Sequence, residues 1–422
     1  MYDAIVVGAR CAGSPTAMLL ARMGHRVLLV DRAAFPSDTV STHVIATPGL
    51  AHLKKWGLYE RILATNCPEI ERRTLDVGDF PLTGAIPRVD GLPSPVCARR
   101  TVLDKILVDA AAEAGAEVRE AVSVQEILIK DDRVAGIRGR DRNGALCSEL
   151  ARIVIGADGK HSCVAQAAAA PFYKEVPPLM CWYYSYWAGI QDGPPTSGHY
   201  TRNHRKMLVF PTNDSLTMVL VGWPHGEFPR VRRNIEHEYR VAADMLSPEL
   251  GEWLGARERV ERFFGMADLP NFFRRPYGPG WALVGDAGHH KDPVVAHGIS
   301  NAFRDAGLIA EAIHAGLCGE RPMEDALAEY ETRRNDAAFP WYEQTVRSAS
   351  FTPPSDDELR LRAALRDGEQ SDIDLYMSVR AGAVPRAQLH NPETLARIFR
   401  KSERRMGPTA VSASDVGAGR QA

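Results

Sequence analysis

Paired cysteine is what this chain most clearly lacks. Its seven cysteines (11, 67, 97, 147, 163, 181 and 318) are scattered over 422 positions, and no two form a Cys-x-x-Cys pair. Neither a zinc ribbon nor a redox dithiol is supported. Free thiols in odd number point to a reducing compartment. An excess of one charge is also missing. Lys and Arg total 51 against 53 Asp and Glu, a formal net charge of −2, so there is no electrostatic case for a nucleic-acid or acidic-membrane partner. No apolar run reaches spanning length, so no membrane span is expected. No basic, apolar leader precedes the first strand pattern, and a cytoplasmic location is expected. There is no internal repeat and only one glycine-rich fingerprint. A chain this long exceeds one hydrophobic core, and two or three subdomains are expected.

What is present begins at the amino terminus, with YDAIVVGARCAGSPTAMLLARMGHRVLLVD over residues 2–31. An apolar strand, Ala4–Val7, runs into the turn Gly8-Ala9-Arg10-Cys11-Ala12-Gly13. A proline-free run through Ala17–Ala21 makes a helix, Gly24 ends it, Val27–Val30 is a second strand, and Asp31 closes the unit. This βαβ context makes a glycine-rich turn readable as a dinucleotide site. Gly8 permits the sharp turn. Unpaired helix amides beyond it, with the helix dipole, hold a pyrophosphate. Gly13 lets helix and strand pack closely, and Asp31 can accept from a ribose hydroxyl. The middle glycine is replaced by Arg10, whose guanidinium suits a diphosphate. Cys11 has no base beside it in sequence and is expected to be a spectator.

Further along, Val102–Gly115 reads as a helix, with Leu103, Ile106, Leu107 and Ala110 on one face. Strands follow near 117–124, 126–130, 134–138 and 152–155. From Pro171 the pattern changes to long antiparallel strands at Cys181–Ile190, Lys206–Phe210 and Leu216–Trp223. Period-2 alternation puts Trp182, Tyr184 and Tyr186 on one face, where they either line a cavity or pack against a neighbouring layer. Residues 230–264 read as charged helix. Strand 280–284 and the helices Gly298–Leu317 and Met323–Asn335 return to the first layer.

Three loops, each leaving an apolar strand, complement one another: the turn at 8–13, GADGKHS at 156–162 and GDAGHHKDPVVAHG at 285–298. In an open parallel sheet such loops gather at one edge, where ligands bind. In this order the motifs resemble the FAD-dependent oxidoreductases of the aromatic-hydroxylase (group A flavin monooxygenase) and geranylgeranyl reductase superfamily, over residues 2–345. The fold class implied is α/β. A Rossmann-like FAD-binding domain (1–75, 96–170 and 271–345) is interleaved with an antiparallel-sheet substrate domain (76–95 and 171–270). A helical C-terminal cap (346–400) and a flexible tail (401–422) follow. The resemblance implies that Gly8, Arg10, Cys11, Ala12, Gly13, Asp31 and Arg32 hold the ADP part of FAD. Arg100 and Val124 also contact FAD, and Asp158-Gly159 contacts FAD and a transient nicotinamide cofactor. Gly285-Asp286 takes the ribityl-diphosphate region. The helix after Pro293 points its amino end at the flavin, so that amides near Gly298, Ile299 and Ser300 stabilise negative charge on the reduced ring. His297 is read either as an added positive charge or as loop scaffolding, and His289 as fixing its loop. No catalytic base is assigned; His43 and His297 are the catalytic candidates, His43 by its place near the isoalloxazine, with loop packing as the other reading. The His289-His290 pair lacks zinc-ligand spacing, so no metal is expected.

With one nucleotide fingerprint, NADH or NADPH is expected as a transient reductant. The leading expectation is a monooxygenase using O₂ on a hydrophobic small molecule, aromatic or polyketide-like. The alternative is a reductase or dehydrogenase acting on a C=C or C–C bond. Tyr-x-Trp-x-Phe-Pro and Trp-x-Trp-x-Ile-Pro are both absent near 182–190, which disfavours the isoprenoid-reductase and halogenase versions. A non-catalytic flavoprotein is a third reading.

Overall fold

The computed structural model describes residues 1–89, 91–189 and 196–406, the last five by backbone alone. Its organising strand is Tyr2–Val7, apolar and β-branched enough to be buried on both faces. It runs parallel to Val27–Val30 on one side and to Leu146–Gly156 on the other. Trp281–Leu283 and Glu117–Arg119 extend the sheet outward, again in parallel. Five strands pointing one way bring Val7, Val30, Gly156 and Leu283 to a common edge.

Alternation assigns the faces. Ala4, Val6 and Leu29 pack with the helices Gly13–Arg22, Arg100–Glu113 and Gly298–Leu317. Ile5, Val7, Leu28 and Val30 meet Ile127, Val134 and Ile137 on the hairpin of Ser123–Lys130 and Arg133–Arg140. Each large apolar side chain buried this way contributes about 1.5–3 kcal/mol. Helix Met323–Ala349 runs on past Asn335 and through Pro340, because its buried side continues with Ala338, Tyr342 and Thr345.

The second sheet has seven strands in the order 264–266, 180–188, 216–224, 205–211, 196–202, 72–76 and 82–85. Its pairings are antiparallel except that Thr196–Arg202 lies parallel to Arg72–Asp76. The excursion into this layer thus begins at Arg72 rather than at residue 76. Trp182, Tyr184 and Tyr186 share the inner face, while Cys181, Tyr183 and Trp187 face the helices Ile235–Leu246 and Pro248–Ala256. The inner face is covered by the helices Asp356–Arg366, Gln370–Arg380 and Pro392–Met406, with Leu365, Tyr376, Met377 and Ile398 in its core. The strand expected to reach Ile190 ends at Ala188, and residue 190 lies outside the described residues. The last helix continues to Met406, past the expected start of a tail at 401, and residues 407–422 lie outside the described residues.

The first helix can approach its strand only because residue 13 has no side chain. A Cβ on Gly13 would lie 1.8 Å from the Gly8 carbonyl oxygen, whereas one on Gly24, at φ +86°, would meet nothing within 4 Å. Gly13→Ala is therefore expected to destabilise the protein by about 3 kcal/mol or more, since backbone must move. Gly24→Ala should cost only about 1 kcal/mol, for its left-handed backbone. Chemical denaturation of the two variants checks this, and equal losses would contradict it.

Candidate active site

A cavity of about 740 Å³ opens where the strand ends meet, within the roughly 300–1,000 Å³ of ligand sites. The three loops that form its wall brace one another. Gly8 has φ +103°, and a Cβ there would strike the Ala157 carbonyl oxygen at 2.4 Å. Gly285 has φ +62°, and its Cβ would come within 2.7 Å of the Ala12 methyl. Asp31 fixes the first turn, its Oδ2 accepting from the Ala9 amide (2.7 Å) and its Oδ1 from the Ala33 amide (2.8 Å). Each oxygen keeps a further lone pair for a ligand.

Arg10 reaches across to the helix Arg100–Glu113. It donates to Asp104 Oδ2 at 2.5 Å and to Ser37 Oγ at 3.0 Å, with its guanidinium 5.4 Å from the centre of the Phe35 ring. Asp104, fully buried, also accepts from Arg100 Nε at 3.0 Å. One carboxylate thus gathers two guanidiniums and leaves a net positive charge on the wall. Burial lowers the Arg100 pKa, but its neighbours together, Asp104 foremost, outweigh that and hold the guanidinium above its usual range. Burial, with Asp104 nearby, pushes the Cys11 thiol up, so it stays protonated.

In the second loop Asp158 Oδ2 accepts from the Cys163 amide at 2.7 Å, and Oδ1 is buried without a partner. Gly159, at φ +82°, leaves open space where a side chain would stand. The third loop carries Asp286 and Pro293 onto the wall and leads through Ala296, in the left-handed region at φ +54°, to the helix Gly298–Leu317. No side chain caps the amino end of that helix or of Gly13–Arg22. A Cβ on Gly298 would meet nothing within 4 Å. Asn301 is on the wall with its Nδ2 buried and unpartnered.

Of the sequence-predicted residues, Gly8, Arg10, Cys11, Ala12, Asp31, Arg32, Arg100, Val124, Asp158, Gly159, Gly285, Asp286, Pro293, His297, Gly298 and Ile299 line this one cavity. Gly13 and Ser300 stand behind it, Ser300 Oγ accepting from the Ala46 amide at 3.0 Å. His297 does not supply the positive charge considered for it. Burial, then the charges of Lys291, Arg73 and Arg304, push it down to about 3, and its neutral ring lies 4.0 Å from that of Trp341, centre to centre. Lys291, also on the wall, is pushed down to about 8 by burial and Arg304, and is largely protonated at neutral pH. His289 lies against Phe273, and His290 bonds the Pro270 carbonyl.

His43, Trp182, Tyr184 and Tyr186 lie one layer behind the cavity wall. His43, at φ +61°, places Nε2 2.5 Å from the Tyr186 hydroxyl. Burial, with Arg100 and Arg99, drives its pKa well down. Trp182 Nε1 donates at 3.2 Å to Asp292, a wall residue whose carboxyl burial pushes up to about 7. Sequence reasoning missed Asp104, Lys291, Asp292 and Asn301. Asp104 gave a signal in its i,i+4 spacing from Arg100, and Lys291 and Asp292 lie inside the 285–298 motif.

These features fit a long diphosphate cofactor such as FAD. Two uncapped helix ends, two guanidiniums and glycine-opened walls converge on one cavity, where Asp158 Oδ1 and Asn301 Nδ2 await partners. The family model for the FAD binding domain matches residues 1–345. Digeranylgeranylglycerophospholipid reductase of Methanosarcina acetivorans is 27% identical over 344 residues, 79% of this chain and 80% of that protein. The myxobacterial chondrochloren halogenase CndH superposes with a TM-score of 0.75 at 23% identity, covering 97% of this chain and 98% of that one. PqsL of Pseudomonas aeruginosa, described as a probable FAD-dependent monooxygenase, gives 0.69 at 18% identity, covering 91% and 100%. With the family match spanning all three cavity loops, the chain belongs to the FAD binding domain family and is an FAD-dependent oxidoreductase.

Proposed function

We propose that the protein is a monooxygenase that uses NADH or NADPH and O₂ to hydroxylate a hydrophobic small molecule, aromatic or polyketide-like. The observation that carries this reading is where the cofactor cavity meets the second layer. Met266 and Leu269 supply part of its wall, and Asp292 ties that wall to Trp182 on the covered aromatic face. Met266 and Leu269 would give a reacting ring held there an apolar flank. Bound FAD would supply the chemistry, accepting hydride and activating O₂ once reduced.

The chain's own residues bind and polarise. The amides of the 8–13 turn, with Arg10 and Arg100, would hold the diphosphate, while Asp31 and Arg32 would serve the adenosine end. Asp158-Gly159 and Asp286 would contact the middle of the cofactor. The uncapped helix end at Gly298–Ser300, with the Lys291 cation, complements an electron-rich ring. Burial lowers the His43 pKa and raises that of Tyr186, so the pair keeps one proton between two neutral rings.

A second reading, reduction of a C=C or C–C bond, is favoured by the names of the reductase relatives. The two separate on oxygen. The FAD-loaded protein, screened with NADPH or NADH against aromatic and polyketide-like compounds, is expected to consume O₂ with substrate and to place one labelled atom from ¹⁸O₂ in the product. Anaerobic turnover without label would establish the reductase reading instead. Asp104→Ala should destabilise the protein by about 3 kcal/mol, because it strands two guanidiniums. It should also weaken FAD binding at least about tenfold, read by flavin fluorescence; unchanged affinity would contradict the assignment. Lys291 binds its proton less tightly when folded, about 8 against an ordinary 10.5. Between those values the unfolded chain holds more protons, so this lysine's penalty falls as pH rises. Lys291→Met should therefore raise the Tm of FAD-free protein at pH 7, with a gain that fades above pH 8 and is gone by about 10.5.

A further inference from the structure

The two helices whose amino ends face the cavity carry a different constellation at their other ends. His25 follows the helix Gly13–Arg22, its amide bonded to the Leu20 carbonyl at 3.2 Å. His314 is in the last turn of Gly298–Leu317, and Cys318 follows at i+4, on the same helix face. His25 Nε2 lies 2.8 Å from His314 Nδ1, and Cys318 Sγ lies 3.7 Å from that same nitrogen. One donor atom from each of the three lies within 4.8 Å of the other two.

We propose that His25, His314 and Cys318 form a binding site for a thiophilic divalent transition ion, zinc being the ion they suit best, with water as fourth ligand. Two imidazoles and a thiolate are a borderline-soft donor set, suited to zinc and poorly suited to magnesium or calcium. Tetrahedral zinc with bonds near 2.05 Å to nitrogen and 2.3 Å to sulfur sets N···N edges of roughly 3.3 Å and N···S edges of roughly 3.6 Å. The His314–Cys318 separation already matches; the histidine pair would open by about half an ångström, and His25 and Cys318, within 4.8 Å, would draw together. The backbone of the trio is held by helix and sheet. Arg152 bonds the Leu317 carbonyl at 3.1 Å, next to the cysteine. Cys318 is exposed, which leaves an entry path. An ion here would join the carboxyl ends of two packed helices whose amino ends hold the cofactor. The competing account is a hydrogen-bonded histidine pair with a bystander thiol.

Cobalt(II) alone, titrated into the FAD-loaded protein after chelator treatment, distinguishes the two. The proposal expects one equivalent to give intense tetrahedral d–d bands to the red of the flavin absorption, with a thiolate-to-cobalt charge-transfer band, and zinc to displace it. Zinc should also raise the Tm of the wild type. Cys318→Ser should lose the charge-transfer band and bind zinc at least about tenfold more weakly, with the flavin spectrum unchanged. His25→Ala should lose the tetrahedral bands. Only the weak spectrum of hydrated cobalt in the wild type, or unaltered zinc affinity in Cys318→Ser, would overturn the proposal.

Discussion

The approach of the Gly13 backbone to the Gly8 carbonyl sets the geometry of the whole cofactor layer. With no side chain between them, the first helix begins directly above the end of the first strand. That places its uncapped amino end at the common edge of a parallel sheet. The second and third loops then pack onto the same turn through Ala157 and Gly285. The cavity is therefore a product of backbone packing, and the side chains on its wall decide its charge. A carboxylate shared by Arg10 and Arg100 replaces the flexibility a middle glycine would have given with a fixed positive wall.

The second layer brings a different kind of order. One face of its sheet, with Trp182, Tyr184 and Tyr186, shares a core with the C-terminal helices, and the other packs under the helices of 235–256. The inner face meets the cofactor cavity through Met266, Leu269 and Asp292. We propose that substrate choice resides at this junction. Relatives and structural neighbours of this frame are named as a reductase, a halogenase and a probable monooxygenase. The cofactor layer alone thus does not select a reaction, because redox chemistry belongs to the flavin and the protein supplies orientation and field.

Much of the cofactor layer could be read from the chain because it depends on local signals. Gly8, Gly13, Asp31 and the helix from Gly298 to Leu317 each announce themselves through strand, turn or helix periodicity. What escaped depends on distant partners. The role of Arg10 becomes definite only when Asp104, on another helix, is beside it. Sequence left His297 open between added charge and loop scaffolding, and burial beside three cations, Arg73 from far along the chain among them, keeps it neutral. Alternation put Trp182, Tyr184 and Tyr186 on one face, but could not say that this face is packed rather than open to the cavity. The start of the second layer at Arg72 was hidden because its neighbour in the sheet, Thr196–Arg202, is far along the chain. His25 and His314 are likewise distant, and no spacing rule joins them.

We propose that three loops remote in sequence clasp one FAD. Hydrogen–deuterium exchange of the FAD-free and FAD-loaded protein tests it directly. The expected result is simultaneous slowing of exchange at residues 10–13, 157–159 and 298–301, with the strand at 180–188 little changed. Protection confined to one of the three segments, or to none, would contradict it.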